Sequence, residues 1–312
     1  MIVISMTTLG RQRPVHGALA RDGQLLLLGV LLIGLAAGGV ARLLQHGSIA
    51  MDLWMASTAL GTAAALAFLT ATVPECALAA PAPDQIPTAK GELSIQPIHH
   101  AALMLSWNGK HVLIDPAPLG REANPAAAFT ALPSPDIILI THIHGDHFSV
   151  PILQAVAGAH TVIVTPHNVY AAMPADLQKK ARALSNGDKA TIDSIRIEAV
   201  PMYNTTAERS HFHPKGDGNG YIVTLGGKRV YIAGDTEESP ELAHLRNIEV
   251  AFIPINLPYT QTVQAAAKWV RDFRPKIVYP YHYRNMDGTF SDLNSFKQLV
   301  GGASDVRLRN WY

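Results

Sequence analysis

Four potential metal ligands fall within six consecutive residues of this chain: His142, His144, Asp146 and His147. They stand in Thr141-His142-Ile143-His144-Gly145-Asp146-His147, directly after the apolar run Ile137-Ile138-Leu139-Ile140. A short, uniformly apolar run of this kind reads as a buried strand. Side chains two apart in extended chain share a face, so His142 and His144 can reach one ion together. Gly145 is expected to permit the turn that swings Asp146 and His147 towards a second position. Imidazole and carboxylate donors suit zinc, manganese or iron better than calcium. The fold must therefore contain a strand whose end delivers these groups into a shared site.

Composition narrows the classes. Of 312 residues, 48% are apolar and 16% charged, which excludes a disordered chain. A formal net charge of +1 gives no electrostatic footprint for nucleic acid, and no nucleic-acid partner is expected. One cysteine excludes an intrachain disulfide framework and a Cys-rich zinc site.

Residues 1–85 differ from the rest. Arg11, Arg13 and Arg21 precede an uncharged run at 25–41, and a second run covers 53–73. A membrane-spanning helix needs about 20 mostly apolar residues. Ala77-Leu78-Ala79-Ala80, followed by Pro81 and Pro83, has the small-residue spacing of a secretory cleavage site. The region is read as a signal peptide or transmembrane anchor with a Pro/Ala linker, placing the rest of the chain in the periplasm or on the membrane. The alternative is two crossings, which return that part to the cytoplasm under the positive-inside rule. Gly34 and Gly38 form a GxxxG, which in so Gly- and Ala-rich a stretch reflects composition.

Residues 86–312 suit one globular domain. Short β-branched runs are expected as strands at 93–98, 103–107, 111–114, 137–140, 161–164, 192–200, 221–225, 229–232, 250–253, 276–279 and 306–308. Helical patterns fall at 150–156, 175–184, 240–245, 263–273 and 293–300, with Trp269 and Phe273 facing the core. Gly226-Gly227 reads as a hairpin turn and Asn186-Gly187 as another turn. Hairpins mixed with strand–helix alternation indicate an α/β fold with mixed sheets.

The 142–147 segment resembles the HxHxDH signature of the metallo-β-lactamase superfamily. Ala233-Gly234-Asp235-Thr236, after the run 229–232, is similar to that family's GDT segment. Pro280-Tyr281-His282-Tyr283, after 276–279, resembles the segment of its last histidine. The resemblance covers the whole globular part and lies nearest the simple lactonase-like and UlaG-like branch. It implies a four-layer αββα sandwich holding two divalent ions, zinc first, with manganese or iron as alternatives. Metal one would take His142, His144 and a third histidine. Candidates are His160, His167, His211 and His213; the Ser210-His211-Phe212-His213-Pro214-Lys215-Gly216 loop favours His213, with His211 next. Metal two would take Asp146, His147 and His282, and Asp235 would bridge. The implied reaction is attack by a metal-bridging hydroxide, with Asp146 holding the water and relaying a proton.

Further residues follow from position. His99-His100-Ala101 resembles a histidine-alanine segment at the rim of lactonase-like sites, giving His100 a supporting or substrate role. Asp115-Pro116 reads as a turn, and the family often places there an Asp that holds the metal-binding loop. Lys215 is a candidate contact for an anionic substrate. Asn256 and Tyr259 follow a strand and are candidate substrate contacts. The expected substrate is a small or lipid-like ester, lactone, amide or phosphodiester. Two other readings stay open: a metal-binding protein without hydrolysis, and a di-iron redox enzyme.

Overall fold

The computed structural model describes residues 82–120 and 123–312. The apolar runs at 25–41 and 53–73, the Gly34 and Gly38 pair and the small residues around Ala79 lie outside the described residues. Among the described residues, no helix is long and apolar enough to cross a membrane.

Two mixed sheets make the centre of the fold. The first holds β1 (Asp84–Thr88), β2 (Gly91–His99), β3 (Ala102–Trp107), β4 (Lys110–Ile114), β5 (Ile137–Leu139), β6 (Val162–Thr165) and β7 (Ala181–Ala183), side by side in chain order. The second holds β8 (Lys189–Ile192), β9 (Ile195–Met202), β10 (Gly218–Leu225), β11 (Lys228–Ile232), β12 (Val250–Pro254), β13 (Ile277–Tyr281) and β14 (Asp305–Val306). The pairing pattern is the same in both. β1 to β4 are antiparallel and β4 to β7 parallel. β8 to β11 are antiparallel and β11 to β14 parallel.

The parallel halves need crossovers, and helices supply most of them. α1 (Ala127–Thr130), α2 (Val150–Val156), α3 (His167–Ala172) and α4 (Ala175–Gln178) join strands of the first sheet. α5 (Val263–Phe273) and α6 (Leu293–Val300) join strands of the second. α5 shows why: Thr262 caps its N-terminus by accepting from Ala265 N–H, and Ala266, Trp269, Val270 and Phe273 bury one face. It stops at Arg274, whose φ of 50° is left-handed.

Strand alternation sorts the apolar side chains into three layers of contact. Val112, Ile114, Ile137 and Leu139 face Val230, Val250, Phe252 and Tyr279 between the sheets. Leu113, Ile138 and Ile140 turn the other way, onto Phe129, Ile152 and Leu177 of α1, α2 and α4. Ala251, Ile253 and Val278 meet Trp269, Val270 and Phe296 of α5 and α6. The helices therefore cover the outer faces of two sheets packed together, the expected αββα order.

Three expectations need correction. The run 192–200 is two strands, because Asp193 and Ser194 both take positive φ (47° and 68°) in a tight hairpin. The helix expected over 175–184 is one turn, α4, and its second half is the edge strand β7. The 240–245 pattern forms only a 3-10 turn at Leu242–His244.

Trp311 is fully buried between the sheets, against Phe252 and Tyr281. Its removal leaves a large cavity. Trp311→Ala is expected to cost about 3–5 kcal/mol in urea unfolding; an unchanged midpoint would contradict this account of the inter-sheet core.

Candidate metal centre

The centre lies past the carboxyl ends of β4, β5, β11 and β13, where open α/β sheets place their ligands. Its foundation is Asp115, completely buried just after β4. One carboxylate oxygen accepts Thr141 N–H at 2.7 Å. The other accepts the Thr141 hydroxyl at 2.7 Å and His147 Nδ1–H at 2.8 Å. With its Nδ1 proton donated to Asp115, His147 turns Nε2 into the site, where a metal ion would take the place of a second proton. Thr141 Oγ1, its hydroxyl donating to Asp115, accepts from His142 Nδ1–H at 3.0 Å, which leaves the His142 Nε2 lone pair facing His144 Nδ1 at 3.0 Å.

Three donor groups converge. His142, His144 and His213 form one; Asp146, His147, His282 and His100 form a second; His142, His147 and Asp235 link them. Within each group the candidate ligand atoms lie within 4.8 Å of one another. Asp235 oxygens stand 3.4 Å from His147 Nε2, 3.5 Å from His213 Nε2 and 3.3 Å from His282 Nε2. His282 Nε2 is 3.5 Å from Asp146 Oδ2. These separations are long for hydrogen bonds. They match the roughly 3.3 Å edge between two ligand atoms each 2.0–2.1 Å from one tetrahedral ion.

The donor chemistry fits divalent metal. His147 Nε2, His213 Nε2, His282 Nε2 and Asp235 Oδ1 are buried without a hydrogen-bond partner. Buried orphans of this kind are costly and uncommon. One pair of cations would satisfy all four. Burial holds His142 well below the usual histidine range and brings His100 and His213 down to about 4, so these rings carry lone pairs at neutral pH. Burial pushes Asp235 and Asp146 up, but the surrounding histidines outweigh it and keep both carboxyls far below the ordinary range. Burial lowers His147 too, yet Asp235, Asp115 and Asp146 together hold it well above its usual value. Three carboxylates around one imidazole make this spot attractive to positive charge.

His100 sits behind Asp146. Arg284 N–H donates to Tyr312 Oη at 3.3 Å, which directs the Tyr312 hydroxyl proton to His100 Nδ1 at 2.9 Å. Nε2–H of His100 then donates to Asp146 Oδ2 at 2.9 Å. Its ring centroid is 3.8 Å from that of His282. His100 thus orients Asp146.

The loop between β9 and β10 brings His213 in. Buried Glu237, two residues past Asp235, anchors it. The carboxylate accepts from Thr205 N–H (2.7 Å), Thr206 N–H (2.6 Å) and the Thr206 hydroxyl (2.8 Å). Arg209 adds Nε–H and Nη2 contacts, each at 2.6 Å. Burial raises the Glu237 carboxyl, but these donors prevail and hold it below its usual range. Asn204 closes the loop, its N–H on His213 O at 3.0 Å and its side-chain amide on Tyr259 O at 2.7 Å.

Other expected residues lie elsewhere. His211 packs against Phe212, with centroids 4.0 Å apart and the rings tilted by 38°, and belongs to none of the donor groups. Asn256 is fully buried, its Oδ1 accepting the Thr260 hydroxyl at 2.6 Å within its own loop and its Nδ2 without a hydrogen-bond partner. Tyr259 packs edge-on against Phe212 at 5.1 Å, beside the His213 loop. Lys215 is paired with Glu241 at 2.5 Å, which leaves its charge neutralised. Gly145 does not use positive φ, and a Cβ there would touch nothing within 4 Å. Tyr312 carried no sequence signal, being 212 residues from His100. Glu237 carried a weak one, its place two residues after Asp235.

Gly234 is the glycine the site requires. Its φ is +65°, and a Cβ would stand 2.6 Å from Met202 Sδ and 3.0 Å from Thr141 Cβ. Gly234→Ala is expected to displace Asp235 and lower zinc affinity at least tenfold in competition with a chelator. Gly145→Ala should leave affinity unchanged; equal effects of the two would refute this assignment. Glu237→Gln leaves Arg209 without its counter-charge. About 3 kcal/mol of stability should be lost in denaturant unfolding, and the affinity of the chain for added zinc should fall. Unchanged stability and zinc affinity would show that Glu237 does not hold the loop.

Comparison with known proteins agrees with this geometry. Residues 94–282 match the beta-lactamase superfamily domain. A UPF0173 metal-dependent hydrolase of Thermococcus kodakarensis is 33% identical over 212 residues, covering 66% of this chain and 92% of the relative. A crystal structure from Parabacteroides distasonis, described as a metal-dependent hydrolase, is 43% identical, covers 73% of this chain and 97% of its own, and superposes with a TM-score of 0.64. Igni18, a metallo hydrolase of Ignicoccus hospitalis, is 26% identical over 70% of this chain and 94% of its own, with a TM-score of 0.57. The chain belongs to the metallo-β-lactamase superfamily and is a metal-dependent hydrolase of that fold.

Proposed function

We propose that the centre holds two zinc-type ions and hydrolyses an ester, lactone, amide or phosphodiester of a small or amphiphilic molecule. The observation that carries this is the sharing of Asp235 between two donor groups. Its carboxylate approaches His213 of one group and His147 and His282 of the other. His142, His144 and His213 would hold the first ion and Asp146, His147 and His282 the second, with Asp235 between them. Bound there, two divalent ions lower the pKa of water towards neutrality and polarise the bond under attack.

The chain's own groups do the rest. Asp146, pinned through Oδ2 by His100, would accept a hydrogen bond from the attacking water and relay its proton onward. Asp115 and Thr141 fix the tautomers of His147 and His142, so no reorganisation is needed when charge develops. Residues 1–85 would serve as a secretory signal or membrane anchor, with the domain on the periplasmic side. Two crossings and a cytoplasmic domain form the alternative, and reporter fusions after Ala89 separate the two.

Metal analysis of the purified chain beside His144→Ala tests the reading. About two zinc ions per chain are expected, falling sharply in the variant, with hydrolysis of an ester and phosphodiester panel lost on chelation and restored by zinc. One ion or none in folded protein never exposed to chelator would sink the dinuclear mechanism. Iron at that stoichiometry would favour the di-iron redox reading, and bound zinc without turnover a non-hydrolytic role.

A further inference from the structure

The segment just past His282 carries side chains that the metal centre does not use. Residues 284–290 form a tight hairpin. Arg284 and Phe290 pair as an antiparallel bridge, and Asn285 N–H donates to Thr289 O at 2.8 Å. Asp287 accepts from Thr289 N–H at 2.9 Å and from its hydroxyl at 2.6 Å. Although held by these bonds, the hairpin offers apolar groups to water. Met286 is 62% exposed and Phe290 55%. Leu257, whose carbonyl accepts Met286 N–H at 3.1 Å, adds a third at 37%. Scattered exposed apolar residues are ordinary, but these three stand on one hairpin and the loop bonded to it, and apolar groups gathered on one segment mark a contact surface.

This cluster adjoins the chemistry. The Phe290 ring lies 5.1 Å from that of Tyr312, and the Tyr312 hydroxyl bonds His100. Two side chains thus separate the exposed surface from Asp146 and His282. Arg284 adds charge. Its guanidinium stands over the Tyr312 ring, 5.8 Å from the centroid, and has no carboxylate partner among the described residues. The neighbouring cations of the His213 loop are already taken, Arg209 by Glu237 and Lys215 by Glu241. An unpaired guanidinium beside aromatic and aliphatic surface is complementary to a molecule with an apolar body and an anionic head.

We propose that the 284–290 hairpin recognises the substrate. Leu257, Met286, Phe290 and Tyr312 receive the apolar chain or ring of an amphiphilic acid derivative, and Arg284 receives its carboxylate. The scissile bond then falls towards Asp146 and His282. This rests on the hydrolase reading of the centre, but the recognition step itself needs no metal.

Calorimetry on the full chain, metal-free and zinc-loaded, tests it with decanoate, decanol and acetate as probes. In the metal-free chain decanoate should bind about tenfold more tightly than decanol or acetate, the scale of one charge-assisted hydrogen bond. Arg284→Gln should reduce decanoate to the level of decanol, and Phe290→Ala should weaken both. Both residues are exposed, and circular dichroism checks that the variants remain folded. Equal binding of decanoate and decanol overturns the proposal. So does decanoate binding that needs zinc and ignores Arg284→Gln, which would place the carboxylate on the metal. Phe290-dependent binding to phosphatidylcholine vesicles without decanoate binding would make the hairpin a membrane contact, and also overturns it. Failure of the hydrolase reading, with no zinc and no turnover, would leave the metal-free decanoate result standing.

Discussion

The buried carboxylate of Asp115 is the contact on which the centre depends. A charge with no solvent exposure is tolerable only when every oxygen is well bonded. Here the donors are Thr141 N–H, the Thr141 hydroxyl and His147 Nδ1. The parallel pairing of β4 and β5 sets this up. Ile114 lies opposite Leu139, and Asp115 N–H continues the ladder to Leu139 O at 2.9 Å. The first residue past one strand therefore meets the first residues past the next. Through Thr141 the same carboxylate governs His142, so one side chain sets the protonation pattern of two donors.

The repeated pairing pattern gives this arrangement a counterpart in the second sheet. Each sheet changes from antiparallel to parallel pairing at one strand, β4 in the first and β11 in the second. Asp115 directly follows the former, and Gly234-Asp235 stands just past the latter. His147 lies between the two carboxylates, 2.8 Å from Asp115 through Nδ1 and 3.4 Å from Asp235 through Nε2. The imidazole is thus clamped by an acid from each sheet. Any shift of one sheet against the other would change both distances, so the close-packed layer of Leu139, Tyr221, Phe252 and Tyr279 also fixes the geometry of the centre.

What the sequence made legible was local. The 142–147 segment, Asp235 and His282 each follow an apolar run, so strand and donor are read together. The choice between His213 and His211 was not local. The two are separated by one residue, and only the bonds of Asn204 and Glu237 turn His213 inward and leave His211 packed against Phe212. Tyr312 is joined to His100 by folding alone. The break in the 192–200 run was hidden because Asp193 and Ser194 are not the Asn-Gly type that announces such a turn. The sequence points to Gly145 as the conformationally necessary glycine, whereas the structure gives that role to Gly234. Contact with Met202 and Thr141, which pattern cannot show, distinguishes them.

The centre is also divided by exposure, and the division has chemical meaning. His142, His147, His213, Asp235 and His282 are all buried, whereas His144 is exposed and the Asp146 side chain is 45% exposed. Buried donors are held by packing and hydrogen bonds and can define positions tightly. Exposed donors leave room for water and for a reacting group. A metal site that only stabilises a fold is closed on all sides, while one that works on a substrate keeps a position open. The open side here is formed by residues 143–146, with the Arg284 and Phe290 hairpin reached from Asp146 through His100 and Tyr312. The dry half of the site fixes geometry and the wet half admits the reactants, and His100 joins them by holding the half-buried Asp146 beside the buried His282.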